Sequence, residues 1–66
     1  MTLRNKFKLQ DKVKEPKGSF IYIVKNYYYD DELETTIYSL ESIDSPGYIK
    51  YLSEEDLQFV SWGGSV

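Results

Sequence analysis

Three residue types are missing from the 66-residue chain: cysteine, histidine and alanine. The absence of cysteine excludes disulfide bonds and thiolate zinc sites. The absence of histidine removes the side chain that most often serves as a general base or a metal ligand. A helical bundle without alanine, the strongest helix former, would be unusual. The composition therefore disfavours an all-α fold and most metal-dependent or acid–base chemistry.

The sequence also has no apolar run near the roughly 20 residues that a membrane-spanning helix needs. No apolar stretch follows the charged N-terminal residues, so they do not resemble a signal peptide. From these two observations we expect a cytoplasmic protein that does not associate with membranes.

Aromatic and β-branched residues dominate what is present. Aromatic residues make up 17% of the chain, and seven of them are tyrosines. Such residues fit the half-buried surface of a β-sheet and are scarce in disordered chains. A chain of this length forms one domain and buries only about 60% of the surface that its unfolded state exposes. We predict a single small all-β domain over residues 1–60, followed by a tail over residues 61–66.

Alternating hydrophobicity and turn residues divide the domain into five strands. Turns are predicted at Pro16-Lys17-Gly18 and Asp44-Ser45-Pro46-Gly47, and an acidic loop at residues 30–34. One helical turn at residues 53–56 precedes the last strand, with Ser53 as its N-cap. The predicted strands cover residues 11–15, 19–29, 35–43, 48–52 and 57–60.

The predicted core consists of the apolar residues that alternation places on one face. The core residues of the second strand depend on its register, because a shift of one residue would exchange its inward and outward side chains. In that case Phe20, Tyr22 and Val24 would replace Ile21 and Ile23. The predicted core residues are Phe7, Leu9, Val13, Ile21, Ile23, Tyr38, Leu40, Leu52, Leu57 and Val60.

Several segments resemble the SH3-like barrel family, which includes KOW, Tudor-like and small bacterial or phage versions. Residues 7–13 are similar to an opening in which an apolar residue is followed by Asp-x-Val, and Gly18 lies at the first turn. Residues 36–40 are similar to the middle strand, and residues 53–57 to the helical turn and Asp-Leu before the last strand. The resemblance implies a five-stranded SH3-like small barrel and transfers no binding residue.

The acidic residues of the 30–34 loop are the main candidates for catalysis or cation binding. No glycine bends this loop, and the chain has no histidine, cysteine or glycine-rich phosphate loop to complete a site. Acidic runs in loops are usually solvated. We therefore predict a protein that is not an enzyme and has no catalytic residue, cofactor or metal site.

The run Tyr27-Tyr28-Tyr29 is the most unusual feature of the sequence. Successive side chains of a strand point to opposite faces, so at least one tyrosine is exposed. Exposed tyrosines beside charged residues are typical of protein interfaces. We predict that a protein partner binds Tyr27, Tyr29, Asp30, Asp31 and Glu32. Aromatic padding of a small core and stacking on nucleobases are the alternatives.

Charge is distributed unevenly along the chain. Residues 1–25 carry seven basic and two acidic side chains, a balance of +5, whereas residues 26–66 have a balance of −8. Lysines that alternate with apolar residues form an alternative nucleic-acid strip. The same lysines would protect an edge strand from pairing with another chain, which is the interpretation that we favour, or form a patch for a protein partner. The strip consists of Lys6, Lys8, Lys12 and Lys14.

Three functions follow from these patterns. The first is a small, non-enzymatic protein-interaction module, such as a phage or mobile-element accessory or inhibitor protein that binds a host protein. The second is a KOW-like nucleic-acid or ribosome-associated module that uses the lysine strip. The third is a structural subunit of a larger assembly or a small-molecule sponge. A homodimer is an open alternative within the first.

Overall fold

The computed structural model describes residues 6–61, which form five antiparallel strands in one sheet. The elements are β1 (Lys12–Lys14), β2 (Tyr22–Asp30), β3 (Thr35–Ser42), β4 (Ile49–Ser53), a 3₁₀ turn (Glu54–Asp56) and β5 (Gln58–Ser61). The strands follow the order β4-β3-β2-β1-β5, and the sheet is not closed into a barrel. The all-β prediction is thus confirmed, including the single helical turn before the last strand.

The sheet is strongly curved. In a flat sheet β1 and β4 would lie about 14 Å apart, because β2 and β3 separate them. Lys50 of β4 nevertheless forms an ion pair with Glu15, the residue after β1, with 3.0 Å between Nζ and Oε1. The concave side therefore encloses the core, and we call it the inner face. The opposite side of the sheet is called the outer face.

A β-bulge at Lys25 decides which side chains of β2 reach the core. Val24 pairs with Leu40, but the next pair along β3 is Asn26 with Ser39, so Lys25 is an extra residue. Tyr27 is consequently opposite Tyr38 on the inner face, whereas Tyr28 is opposite Ile37 on the outer face.

The core shows both the success and the errors of the sequence prediction. Five of the predicted core residues are buried, and Leu52 packs against them half-buried. The five are Phe7, Val13, Tyr38, Leu40 and Leu57.

The predictions for Leu9 and Val60 are wrong, because both side chains are exposed. Tyr22 and Val24 take the core positions that were predicted for Ile21 and Ile23, which are half-buried instead.

Three turns position the strands. Pro16-Lys17-Gly18 closes with a hydrogen bond from Gly18 N to Glu15 O, as predicted. Gly47 follows Pro46 with a φ of 95°, the arrangement of a type II turn, in which L-residues other than Asn are disfavoured. Glu34 ends the β2–β3 loop at a φ of 56°, a conformation that suits glycine or asparagine better than glutamate.

The helical turn differs from its prediction in one detail. Ser53 occupies the N-cap position, but its hydroxyl donates to the Asp56 carboxylate at 2.8 Å rather than accepting a backbone N–H. Ser61, predicted as the start of the tail, is the last residue of β5. The remaining tail residues 62–66, like residues 1–5, lie outside the described residues. Between residues 6 and 61, no helix has the length and hydrophobicity that crossing a membrane requires.

Candidate functional site

Apolar side chains cover the centre of the outer face. Tyr28 of β2 is 54% exposed and Tyr51 of β4 is 63% exposed, and between them Ile37 of β3 is buried. Tyr28 is directly opposite Ile37, and Tyr51 is opposite Ser39, two residues further along β3. Ile37 is not part of the core cluster of the inner face. The two tyrosines therefore flank a separate apolar residue, and their own side chains are exposed to solvent.

The acidic loop lies at one end of this outer face. The Asp30 carboxylate accepts a hydrogen bond from Leu33 N at 3.0 Å, which shapes the loop. Residues 31–34 are all exposed, and three of them are acidic. Glu55 adds a further carboxylate nearby, because its Oε1 accepts the Thr35 hydroxyl at 2.7 Å. That hydrogen bond lowers the pKa of Glu55, so this end of the face stays negatively charged.

The five predicted partner-binding residues differ in their exposure to solvent. Tyr29 is 40% exposed, and Asp31 and Glu32 are exposed beside it, while Asp30 is half-buried. Tyr27 lies on the inner face, half-buried, with its ring 5.9 Å from that of Tyr38. Its position therefore resembles the aromatic padding that the sequence left open as an alternative, and the partner-binding role stays a prediction.

Sequence reasoning missed the two most exposed tyrosines of the outer face. Alternation along β2 does not predict that Tyr28, rather than Tyr27, faces outward. The bulge at Lys25 shifts the alternation of inward and outward side chains by one residue. Tyr51 was assigned only to a strand. Its outward position could have been found from its neighbour Leu52, which was predicted to be in the core.

The four lysines of the alternative strip do not form a row along one strand. Lys12 and Lys14 lie in β1 on either side of the buried Val13, so they point to the outer face. Lys6 and Lys8 precede β1 and line a shallow hollow together with Phe59. β1 lies between β2 and β5, so its lysines do not protect a sheet edge.

A cleft of about 610 Å³ opens between the β1–β2 loop and the β3–β4 turn. Its lining includes the exposed rings of Phe20 and Tyr48 and the buried Tyr22. Lys50 lies over the Tyr22 ring, 5.8 Å from its centroid. The hydrogen bond to Glu15 raises the pKa of Lys50, so this lysine remains a cation within the cleft.

A buried hydrogen-bond network joins the N-terminal segment to the 3₁₀ turn. The Tyr38 hydroxyl donates to Glu54 Oε2 at 2.7 Å and accepts the Phe7 N–H at 3.2 Å. Glu54 Oε2 also accepts Lys6 N at 2.7 Å. Burial raises the pKa of Tyr38, and Glu54 adds to the effect. This hydroxyl is therefore a neutral structural group, enclosed on the inner face.

Comparison of the chain with protein-family models, curated proteins and solved structures finds no match.

Proposed function

We propose that the protein is a small, non-enzymatic protein-interaction module that binds its partner through the outer face and the acidic loop. The observation that carries this proposal is the pair of exposed tyrosines, Tyr28 and Tyr51, around the apolar Ile37. Tyrosine is enriched at interfaces because it offers a large rigid area and a hydroxyl at low entropic cost. An apolar centre with a polar rim is the usual anatomy of such a surface.

The charge of the acidic loop favours a particular kind of partner. Asp31, Glu32 and Glu34 are exposed at the edge of the apolar centre. They attract a basic protein surface and repel the phosphates of nucleic acid. The net charge of −3 acts in the same direction. This supports a basic protein as the partner, and binding as the activity, as in a phage or mobile-element inhibitor of a host protein.

We also propose that the curved sheet belongs to the SH3-like barrel family. Five antiparallel strands, the 3₁₀ turn before β5 and the curvature that joins Lys50 to Glu15 support this proposal. Small barrels present loops and sheet faces as binding surfaces on a rigid frame, which suits an interaction module.

The proposal is tested by locating and then weakening the contact. A photo-crosslinking residue at position 28 captures the partner from cells that make the protein, and the captured protein is purified. Its affinity is then measured by calorimetry. Tyr28→Ser combined with Tyr51→Ser should weaken binding at least tenfold, because two interface tyrosines are lost. Tyr48→Ser is a matched control, since Tyr48 is 54% exposed but lines the cleft.

Two outcomes would contradict the proposed site. Unchanged affinity of the double tyrosine variant would exclude the outer face. A loss of binding on charge reversal of Lys8, Lys12 and Lys14, with salt-sensitive binding to nucleic acid, would favour the nucleic-acid module instead. Circular dichroism must show that every variant remains folded.

The cleft supports a second candidate function, the small-molecule sponge. Its volume lies within the range of ligand sites, and the aromatic rings of Phe20 and Tyr48 come from two separate loops. Lys50 supplies a positive charge beside them. If this function is correct, NMR titration with a set of aromatic carboxylates and nucleotides will shift the amide signals of residues 18–22 and 45–50 saturably. Tyr48→Ser should abolish those shifts.

A further inference from the structure

The outer face carries opposite charges at its two ends. The acidic loop, with Asp31 and Glu32, lies at one end. Lys12 of β1 and Lys25 at the bulge of β2 lie toward the other end. At about 3.3 Å per residue, Lys25 and Asp30, the last residue of β2 before the acidic loop, are about 17 Å apart along the strand. Tyr28 lies near the midpoint, so the apolar centre falls between the two charged ends.

The basic end is only moderately positive. Lys25 forms an ion pair with Glu41, with 3.7 Å between Nζ and Oε1, and its side chain is still 43% exposed. Lys12 is opposite Ile23 on the same face. On this face Lys12, Lys14 and Lys25 outnumber the carboxylate of Glu41, so the basic end keeps a net positive charge opposite the loop's carboxylates.

From this layout we infer that, when no partner is bound, a second copy of the chain occupies the outer face, packed face to face with its strands antiparallel. A two-fold axis near Tyr28 brings the acidic loop of each copy onto the basic end of the other. It also stacks the two apolar centres. Such an isologous contact is self-complementary, because one patch serves both copies. The inference rests on the proposed function, since it uses the same surface.

The available area fits a weak dimer. Tyr28, Tyr51, Ile49 and Ile43 are each between 38% and 63% exposed, and together they offer on the order of 400 Å² of apolar surface per copy. A stable interface buries about 800 Å² per partner, so the charged rim must supply the remainder. We therefore expect a weak dimer that dissociates on dilution and whose affinity falls markedly with added salt.

A charge-swap experiment tests the antiparallel arrangement. The first variant, Lys12→Glu with Lys25→Glu, makes both ends acidic. The second, Asp31→Lys with Glu32→Lys and Glu34→Lys, makes both ends basic, because the three lysines then outnumber the carboxylates of Asp30 and Glu55. Each variant alone should dimerise at least tenfold more weakly than the wild type in sedimentation velocity at 50 mM NaCl. An equimolar mixture should recover dimers, because each end of one variant then meets its opposite charge on the other.

Control variants separate charge from folding. Tyr28→Ser with Tyr51→Ser should abolish dimerisation, and Tyr48→Ser should leave it unchanged, because Tyr48 lines the cleft. Thermal melts by circular dichroism verify that Lys25→Glu, which lies beside Glu41, does not unfold the chain. If it does, Lys12→Glu with Lys14→Glu takes its place in the mixture, because this change also leaves the end acidic.

Two results would overturn the dimer. The first is a wild-type chain that sediments as a monomer at 500 µM in 50 mM NaCl. The second is a mixture of the two charge variants that remains monomeric while the wild type dimerises. Neither result removes the proposed function. A monomer that still binds its crosslinked partner through Tyr28 and Tyr51 retains that function, and only loss of tyrosine-dependent binding would refute it.

Discussion

The hydroxyl of Tyr38 offers the most direct test of how the small core is stabilised. Tyr38→Phe removes one oxygen and keeps the ring, which packs edge-on against Phe7 with 5.3 Å between centroids. The Phe7 N–H then loses its buried acceptor, and the Glu54 carboxylate loses a hydrogen bond of 2.7 Å. An unsatisfied buried donor costs about 1–3 kcal/mol, and a hydrogen bond to a charged group contributes about 1.5–3 kcal/mol.

Part of this lost free energy is recovered, because the half-buried Glu54 carboxylate can accept a hydrogen bond from water in place of the Tyr38 hydroxyl. It can do so while it still accepts the Lys6 N–H. We therefore expect Tyr38→Phe to lower the free energy of unfolding by about 2–3 kcal/mol in urea titrations followed by circular dichroism at pH 7. A stable domain of this size has a total of only about 3–10 kcal/mol, so the loss will be large.

Glu54→Gln is the matched control for this prediction. The amide keeps an oxygen that accepts the Tyr38 hydroxyl and removes only the charge, so we expect a loss of about 1 kcal/mol. The double variant should lose less than the sum of the two single losses, because the residues act through one hydrogen bond. A Tyr38→Phe variant that loses under 0.5 kcal/mol would refute the structural role of the network.

Three further variants probe the fold. Leu40→Ala, at a fully buried site, should cost about 2–5 kcal/mol in urea titrations, whereas Val60→Ala, at an exposed site, should change stability by less than about 0.5 kcal/mol. Glu34→Gly should stabilise the protein by about 0.5–1 kcal/mol, because glycine adopts the left-handed conformation without strain; a destabilised variant would contradict this. Acid titration tests the contact of Thr35 with Glu55. The pKa of Glu55 is lowered in the folded state from its ordinary value of 4.5, so its contribution is present above pH 4.5 and is lost on acidification. Thr35→Val should flatten the fall of Tm below pH 4.5, and an unchanged profile would show that the hydrogen bond is energetically silent.

Local sequence signals predicted the turns and the number of strands well. Pro46-Gly47 and Pro16-Lys17-Gly18 restrict or require particular backbone dihedrals, so each turn is encoded by its own residues. The core residues of β1 and β3 were also predictable. Val13 and Leu40 each lie between two polar residues of a strand, and each is buried as local alternation requires.

The second strand could not be assigned in the same way, because both of its faces are apolar. Ile21 and Ile23 satisfy a core pattern as well as Tyr22 and Val24 do, so alternation alone gives two registers. The choice is made by long-range pairing with β3 and by the bulge at Lys25. The prediction that Leu9 is buried was wrong for a related reason. Leu9 precedes β1 in a segment without strand structure, where period-two alternation does not apply.

The bulge also links the core to the candidate binding surface. With Lys25 as an extra residue, Tyr27 joins the core beside Tyr38, and Tyr28 is directed outward opposite Ile37. Without it, the two tyrosines would exchange faces, since successive side chains of a strand alternate. The same backbone irregularity therefore completes the inner packing and places an aromatic ring at the centre of the outer face. Because a bulge depends on pairing between strands, a single strand's residues do not reveal it. The candidate binding surface is for this reason a property of the β2–β3 hairpin rather than of the tyrosine run.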